Sequence, residues 1–246
     1  MIWVFALRDL KIKYAQTLLG LTWSLIQPLT ALAIYTLFFD LLMHMSKSAV
    51  PYSLFAFSGI ICWNLFSYIV NSGSMALMAN QNIISKIYFP KILLLLSKII
   101  LSMVDFGVSF VILVVLLIFF KATPGWQIIF LPVFVLLTIL IGLCIAIWLS
   151  ALSINYRDLH HIVPYVVNFG IWVTPVFLPV TIIPAKYAFV IYFNPLAGAI
   201  EGFRWCLFGS SSFSVYFAFS FLTTLVLLIG GLVFFSKVED KLIDDL

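Results

Sequence analysis

The sequence predicts an all-α integral membrane protein with six transmembrane helices, and three observations carry that class. Of the 246 residues, 64% are hydrophobic and 9% charged, with a mean hydropathy of +1.21; a water-soluble domain carries about 25% charged residues. Six apolar stretches approach the ~20 residues that cross a ~30 Å hydrocarbon core. They lie at residues 18–43, 54–69 with a small-residue extension, 92–120, 128–153, 162–178 and 213–235. None alternates polar and apolar residues with period two, as β-barrel strands do. A cytosolic enzyme, a secreted disulfide scaffold and a nucleic-acid binder are excluded as first readings. The whole chain, 1–246, reads as one transmembrane domain.

Residues 1–17 precede the first span. On a helical wheel Trp3, Leu7, Leu10, Tyr14, Leu18 and Leu21 share one apolar arc, opposite Arg8, Asp9, Lys11, Lys13 and Gln16. Such a helix is expected along the membrane interface, its ammonium groups near lipid phosphates. The basic residues follow the first short apolar stretch, so no cleavable leader is expected. Six spans place both termini on one side. That side carries Arg8, Lys11, Lys13, Lys86, Lys91, Lys98, Arg157, Lys237 and Lys241, against Lys47, Lys121, Lys186 and Arg204 on the other. The bias predicts cytoplasmic termini, with 236–246 as a cytoplasmic tail.

The loop at 80–91 is too polar to span. It mixes Ile83, Ile84, Ile87, Tyr88 and Phe89 with Lys86 and Lys91, and Pro90 suits the first turn of the next helix. A short amphipathic piece of this kind suits docking of a soluble partner. In the third span Lys98 and Asp105 stand seven residues, about 10 Å, apart. They are expected not to pair directly, each facing a wet interior or a neighbouring helix. Residues 179–209 hold Pro179, Pro184, Pro195, Gly198, Gly202 and Gly209. Their apolar pieces, 187–193 and 196–208, are too short to span, and an external pair of re-entrant helices is expected. Glu201 and Arg204, three apart, would pair on one helical face.

The chemistry is sparse. No Gly-Lys dipeptide occurs, so no phosphate-cradling GxxxxGK[ST] loop is present, and HExxH, GxSxG and CxxC are absent too. His160 and His161 beside Asp158 read as an interfacial pair rather than a metal site. Cys62, Cys144 and Cys206 read as small core hydrophobes. Asp105 alone is thin ground for proton coupling. The 25 Phe, 10 Tyr and 7 Trp supply interfacial belts and rings on which sugar faces stack, though abundance alone names no substrate. The residues describe a conduit without an engine, which fits a transporter subunit powered by a separate ATPase.

Several segments in order resemble one family. Arg8-Asp9-Leu10-Lys11-Ile12-Lys13-Tyr14 is followed by Leu19-Gly20-Leu21-Thr22-Trp23 and Gln27-Pro28-Leu29. Asn155-Tyr156-Arg157-Asp158-Leu159 comes after the fourth span, then Trp172-Val173-Thr174-Pro175-Val176, Asn194-Pro195-Leu196 and Glu201-Gly202-Phe203-Arg204. Together they resemble the membrane subunits of type-2 ABC exporters for O-antigen, teichoic acid or capsule polysaccharides. The resemblance implies a homodimer working with two copies of a cytoplasmic ABC ATPase, which holds the ATP and Mg; this chain would bind no cofactor or metal and have no catalytic residue of its own. It implies a coupling helix around Ile83, Ile84, Lys86, Ile87, Tyr88, Phe89, Pro90 and Lys91. It implies an interface helix carrying Trp3, Arg8, Asp9, Lys11, Lys13 and Tyr14, and an external gate with Asn194, Pro195, Glu201 and Arg204. The implied cargo is a glycan on an undecaprenyl-type lipid, and the implied place is the bacterial inner membrane. A type-2 exporter of drugs or lipids is the alternative, disfavoured by the short 45–53 connection. A membrane glycosyl- or acyltransferase is a third reading, for which Asp40 and Glu201 make a poor catalytic set.

Overall fold

The computed structural model describes residues 1–15, 22–37, 50–87, 89–180, 191, 193–209 and 215–244. Its helices are α1 (Ile2–Tyr14), α2 (Trp23–Thr36), α3 (Tyr52–Ser74), the four-residue α4 (Gln81–Ile84) and α5 (Ile92–Phe119), then α6 (Leu131–Asn155), α7 (Leu159–Val173), α8 (Pro195–Phe208) and α9 (Val215–Asp244). No strand occurs among the described residues.

Among the described residues, four helices are long and apolar enough to cross a membrane: α3, α5, α6 with the 3₁₀ turn before it (Trp126–Asn155), and α9. The second, third, fourth and sixth predicted spans therefore correspond to long helices. The first corresponds to α2, whose flanking residues 16–21 and 38–49 lie outside the described ones. The expected helix at 187–193, Asp40 and Tyr88 also fall largely or wholly outside them.

The fifth predicted span, 162–178, is only partly helical. Its helix, α7, stops after Val173, and at about 1.5 Å per residue its 15 residues reach roughly 22 Å. Pro175 explains the stop, because a residue before proline is pushed out of the α region. Thr174 accordingly sits at φ −96°, ψ 144°. The chain then continues irregularly through residues 174–180 beside α3.

The centre of the bundle is α3, with most of its side chains buried, including Leu54, Phe57, Ile61 and Ile69. Small residues let α6 approach it closely. A Cβ on Gly73 would stand 2.7 Å from that of Ala146, and one on Gly142 would stand 3.2 Å from Ile69. By contrast, α5 and α9 expose Val111, Val115, Ile118, Phe221, Leu222, Val226 and Ile229. Apolar faces of that kind suit lipid.

Contacts fix which ends of the bundle go together. At one end Arg8 reaches Asn80 and His160 reaches Met75. Toward the same end Phe234 of α9 stacks on Trp148, ring centroids 4.9 Å apart. At the other end Phe217 meets Phe134, and Trp205 of α8 meets Trp126. Hence α1 and the C-terminal part of α9 lie toward one end, with α8 embedded near the opposite one.

Candidate functional site

The first cluster arises from charges in a greasy helix. An ionisable side chain within a span costs roughly 2.5–3.5 kcal/mol on insertion scales unless it finds a partner. Both Lys98 and Asp105 of α5 find theirs on α1. Lys98 Nζ donates to Asp9 Oδ2 at 2.5 Å, and Lys13 Nζ donates to Asp105 Oδ2. Asp105 Oδ1 also accepts from Tyr14 Oη at 2.5 Å and from Ser24 Oγ at 2.8 Å. The Lys13 ammonium stands 4.3 Å from the centre of the Tyr68 ring, a favourable cation–π distance. Arg8 Nη2 donates to Asp9 Oδ1 and to Asn80 Oδ1, both at 2.8 Å.

These contacts decide where the charges of α1 point. Its inward face carries Ala6, 2% exposed, with Asp9 and Lys13 at helical spacing behind it. Trp3, Val4 and Leu7, by contrast, are exposed. The charges the wheel placed toward lipid phosphates instead neutralise α5, and of the basic residues on α1 only Lys11 is exposed outright. The expectation that Lys98 and Asp105 do not pair with each other holds; each faces a neighbouring helix, and that helix is α1.

The electrostatics follow from the geometry. Burial alone would raise the Asp9 carboxyl, but hydrogen bonds from Lys98 and Arg8 outweigh it and hold Asp9 below its usual value. Burial and the neighbouring Asp105 carboxylate push the Tyr14 phenol up to about 12. Tyr14 therefore stays a neutral donor throughout the physiological range.

Where α1, α2, α3 and α5 meet lies a cavity of about 560 Å³. The Lys13–Asp105 pair forms part of its wall, together with Gln27, Asn64, Asn71, Trp23, Tyr68 and Phe106.

The loop at 80–91 folds onto α1. It is a 3₁₀ turn, Met78–Asn80, followed by α4 and irregular chain. Asn80 anchors it by donating to the Ala76 carbonyl at 2.8 Å while accepting from Arg8. Phe89 is 5% exposed and lies against Phe5, ring centroids 5.4 Å apart. Lys91 is buried, and Ile83 and Ile84 are half-buried. The loop's outward surface is thus Gln81, Asn82, Ser85, Lys86, Ile87 and Pro90. Of the described apolar residues expected to face a partner, Ile87 is the one that stands out, at 54% exposure.

The second cluster surrounds Arg204, which sits 3% exposed inside the bundle. Its Nη1 donates to Glu201 Oε1 at 2.9 Å and to the Pro175 carbonyl at 2.6 Å. Its Nη2 donates to the carbonyls of Val176 at 2.6 Å and Phe55 at 3.1 Å, and Nε to Ser58 Oγ at 3.4 Å. The guanidinium also lies 3.6 Å from the centre of the Phe55 ring. The Glu201–Arg204 pair appears as spaced, yet the arginine does more than the pair requires. It satisfies backbone carbonyls exposed where Pro175 ends α7, which irregular backbone at membrane depth demands. Gly59 makes room: a Cβ there would stand 2.6 Å from Arg204 Nη2 and 2.9 Å from the Val176 oxygen.

Asn194 and Pro195 open α8 as an N-cap and first-turn proline. Asn194 Oδ1 accepts from the Leu196 N–H at 3.1 Å, and its Nδ2 donates to Thr174 Oγ1 at 2.9 Å. The four residues expected at the gate thus tie the broken end of α7 to α8 and α3. Gly209, at φ +62°, closes α8 in the left-handed conformation that suits glycine.

Three readings of isolated residues can also be placed. Cys62, Cys144 and Cys206 are buried free thiols. The His160 and His161 rings touch edge to face, centroids 5.1 Å apart. Among the described residues, no three His, Cys, Asp or Glu side chains converge.

A helix clamped to the bundle by ion pairs, a folded loop at the same end and a buried arginine at the other are the polar features the fold assembles. Sequence comparison decides the family, since the profile of the ABC-2 type transporter matches residues 1–208. The chain belongs to the ABC-2 type transporter family.

Within ABC-2 transporters it is similar to the O-antigen export system permease protein RfbA of Klebsiella pneumoniae. The two are 27% identical over 237 residues, covering 94% of this chain and 89% of the relative. RfbA of Myxococcus xanthus is 27% identical over 199 residues, covering 80% and 76% of the two chains. The polysialic acid transport protein KpsM of Escherichia coli is 23% identical over 241 residues, covering 96% and 93%. The ABC-2 match spans α1 through α8, so both charged clusters lie inside the matched region. Neither the family nor the described side chains support the membrane transferase alternative.

Proposed function

We propose that this chain is the membrane subunit of an ATP-driven exporter that carries a lipid-linked polysaccharide across the bacterial inner membrane. The observation that carries the reading is similarity over nearly the full length to permeases of O-antigen and polysialic acid export. Two copies of the chain would form the conduit, and two copies of a cytoplasmic ATPase would bind the ATP and Mg. The cargo is a glycan on an undecaprenyl-type carrier. In this reading α2 and α7, with the residues flanking them, complete six spans, and both termini face the cytoplasm.

The loop geometry supports a route for coupling. Movement of the outward loop surface reaches α1 through Phe89 on Phe5 and Asn80 on Arg8. The two ion pairs then carry α1's displacement to α5. A chain of rigid contacts of this type transmits a closure of the ATPases as a rigid-body shift.

Deleting the gene tests the function: loss of the surface polysaccharide, restored by the wild-type chain, is expected. A partner ATPase should co-purify with the chain, and Ile87→Asp should reduce that recovery without lowering the yield of the membrane subunit. Normal surface glycan in the deletion strain overturns the export reading.

A further inference from the structure

The cavity between α1, α2, α3 and α5 differs in chemistry from two further cavities, one beside α9 and one beside α7, which apolar side chains dominate. Its wall combines flat aromatic surface from Trp23, Tyr68 and Phe106 with the amides of Gln27, Asn64 and Asn71. The one ion pair in the wall is internally balanced. Asp105 accepts from Lys13, Tyr14 and Ser24, and Lys13 is held by the carboxylate and the Tyr68 ring. A compensated pair leaves little to attract an anion, and the three amides offer hydrogen-bonding groups that an acyl tail would leave unmet. One acceptor is left over: Asn71 Oδ1 is buried with no hydrogen-bond partner among the described residues and lines this cavity. An orphaned buried acceptor calls for a donor brought from outside.

We infer that this cavity is a binding site for a neutral, hydroxyl-rich ligand, a sugar unit stacked on the aromatic wall and hydrogen-bonded by the amides. Its volume of about 560 Å³ falls within the range of small-molecule pockets. Ring C–H faces of a pyranose suit the aromatic surface, and its hydroxyls supply the donor that Asn71 lacks. The ligand class rests on the export reading above, whereas the site rests on the wall chemistry. It places sugar recognition inside one protomer, against the α1–α5 ion pair.

The test uses the purified full chain in nanodiscs of zwitterionic lipid. Saturation-transfer difference NMR is recorded with methyl glycosides of neutral hexoses and N-acetylhexosamines, and separately with inorganic pyrophosphate. Glycosides should receive saturation at their ring protons. Asn71→Leu, which removes the unpaired buried acceptor, and Trp23→Leu, at the exposed rim, should each weaken binding about tenfold, the scale of one lost contact. No glycoside signal, pyrophosphate binding in its place, or glycoside binding unchanged in both variants would each overturn the site. Surface glycan in the deletion strain is scored independently. A normal glycan coat there removes the export reading without altering the NMR result, and a failed NMR result leaves export standing.

Discussion

Replacing Asp105 with Asn isolates the charge at the α1–α5 contact. The amide keeps the shape of the carboxylate and still accepts from Tyr14 and Ser24, but Lys13 loses its counter-ion. Breaking a buried pair by removing one partner costs about 3–5 kcal/mol, which is a ceiling here. The side chains of Lys13 and Asp105 remain 31% and 26% exposed, so the value of a charge-assisted hydrogen bond, about 1.5–3 kcal/mol, is the better scale. Taking ~2 kcal/mol, the undocked population of α1 should rise about 30-fold. Hydrogen exchange of the α1 amides in nanodiscs reads that opening directly, because local release exposes them without unfolding the bundle. Lys13→Leu should give a similar loss. The double variant Lys13→Leu/Asp105→Asn should lose less than the sum of the two single variants, since no charge is then stranded. Exchange within about threefold of wild type in Asp105→Asn, or strict additivity in the double variant, would refute the clamp.

The remaining expectations concern pH, the buried arginine and two glycines. Asp9 has a depressed folded-state pKa, so its contribution to α1 docking is full above its ordinary value near 3.8 and is lost as pH falls below that. Tyr14, raised to about 12, contributes below pH 10 and loses that contribution as pH climbs through 12. Exchange corrected for its intrinsic pH dependence should therefore report steady docking from pH 5 to about 9. Arg204→Met strands Glu201 and the carbonyls of Phe55, Pro175 and Val176, and should cost about 3–5 kcal/mol, seen as a large fall in detergent melting temperature. Adding Glu201→Leu should recover part of that loss. Gly202→Ala would set a Cβ 1.9 Å from the Phe134 ring and should destabilise by about 1–3 kcal/mol. Gly107→Ala meets nothing within 4 Å and should be neutral or stabilising by up to ~1 kcal/mol in the same melting assay.

Four long helices were legible because composition and run length suffice for them. The end of α7 was legible only in hindsight: Thr174-Pro175 is a local stop signal, but continuous apolar sequence to Leu178 masked it. The partners of the α1 charges are not legible from a helical wheel. A helical wheel sorts residues by polarity and assumes that the polar side meets water or phosphate. It omits that α5 carries Lys98 and Asp105, which need partners of opposite charge. Asp9, Lys13, Lys98 and Asp105 are visible in the sequence as charges, yet only the fold says which meets which. Ser24, Ser58 and Asn71 carried no signal beyond being polar residues in or beside apolar runs. Phe89 looked like a docking residue because it sits in an amphipathic loop, and its burial on Phe5 follows from the loop folding back on α1.

The two charged clusters solve one problem in opposite ways. Near one end of the bundle, α5 contains charges that a membrane helix would not tolerate alone, and α1 neutralises them from outside the bundle. Near the other end, a proline frees backbone carbonyls, and Arg204 neutralises those from within, itself balanced by Glu201. The second arrangement is almost fully buried and holds α3, α7 and α8 as one unit, so its loss threatens the fold. The first is partly exposed and joins α5 to a peripheral helix, so its loss releases that helix and leaves the bundle standing. Movement driven from the loop should therefore be absorbed at the α1–α5 contact, with the Arg204 cluster serving as the fixed point. That order of stabilities is opposite to a bundle that opens first at α8, and ranking the exchange rates of α1 and α8 amides in the same sample distinguishes the two.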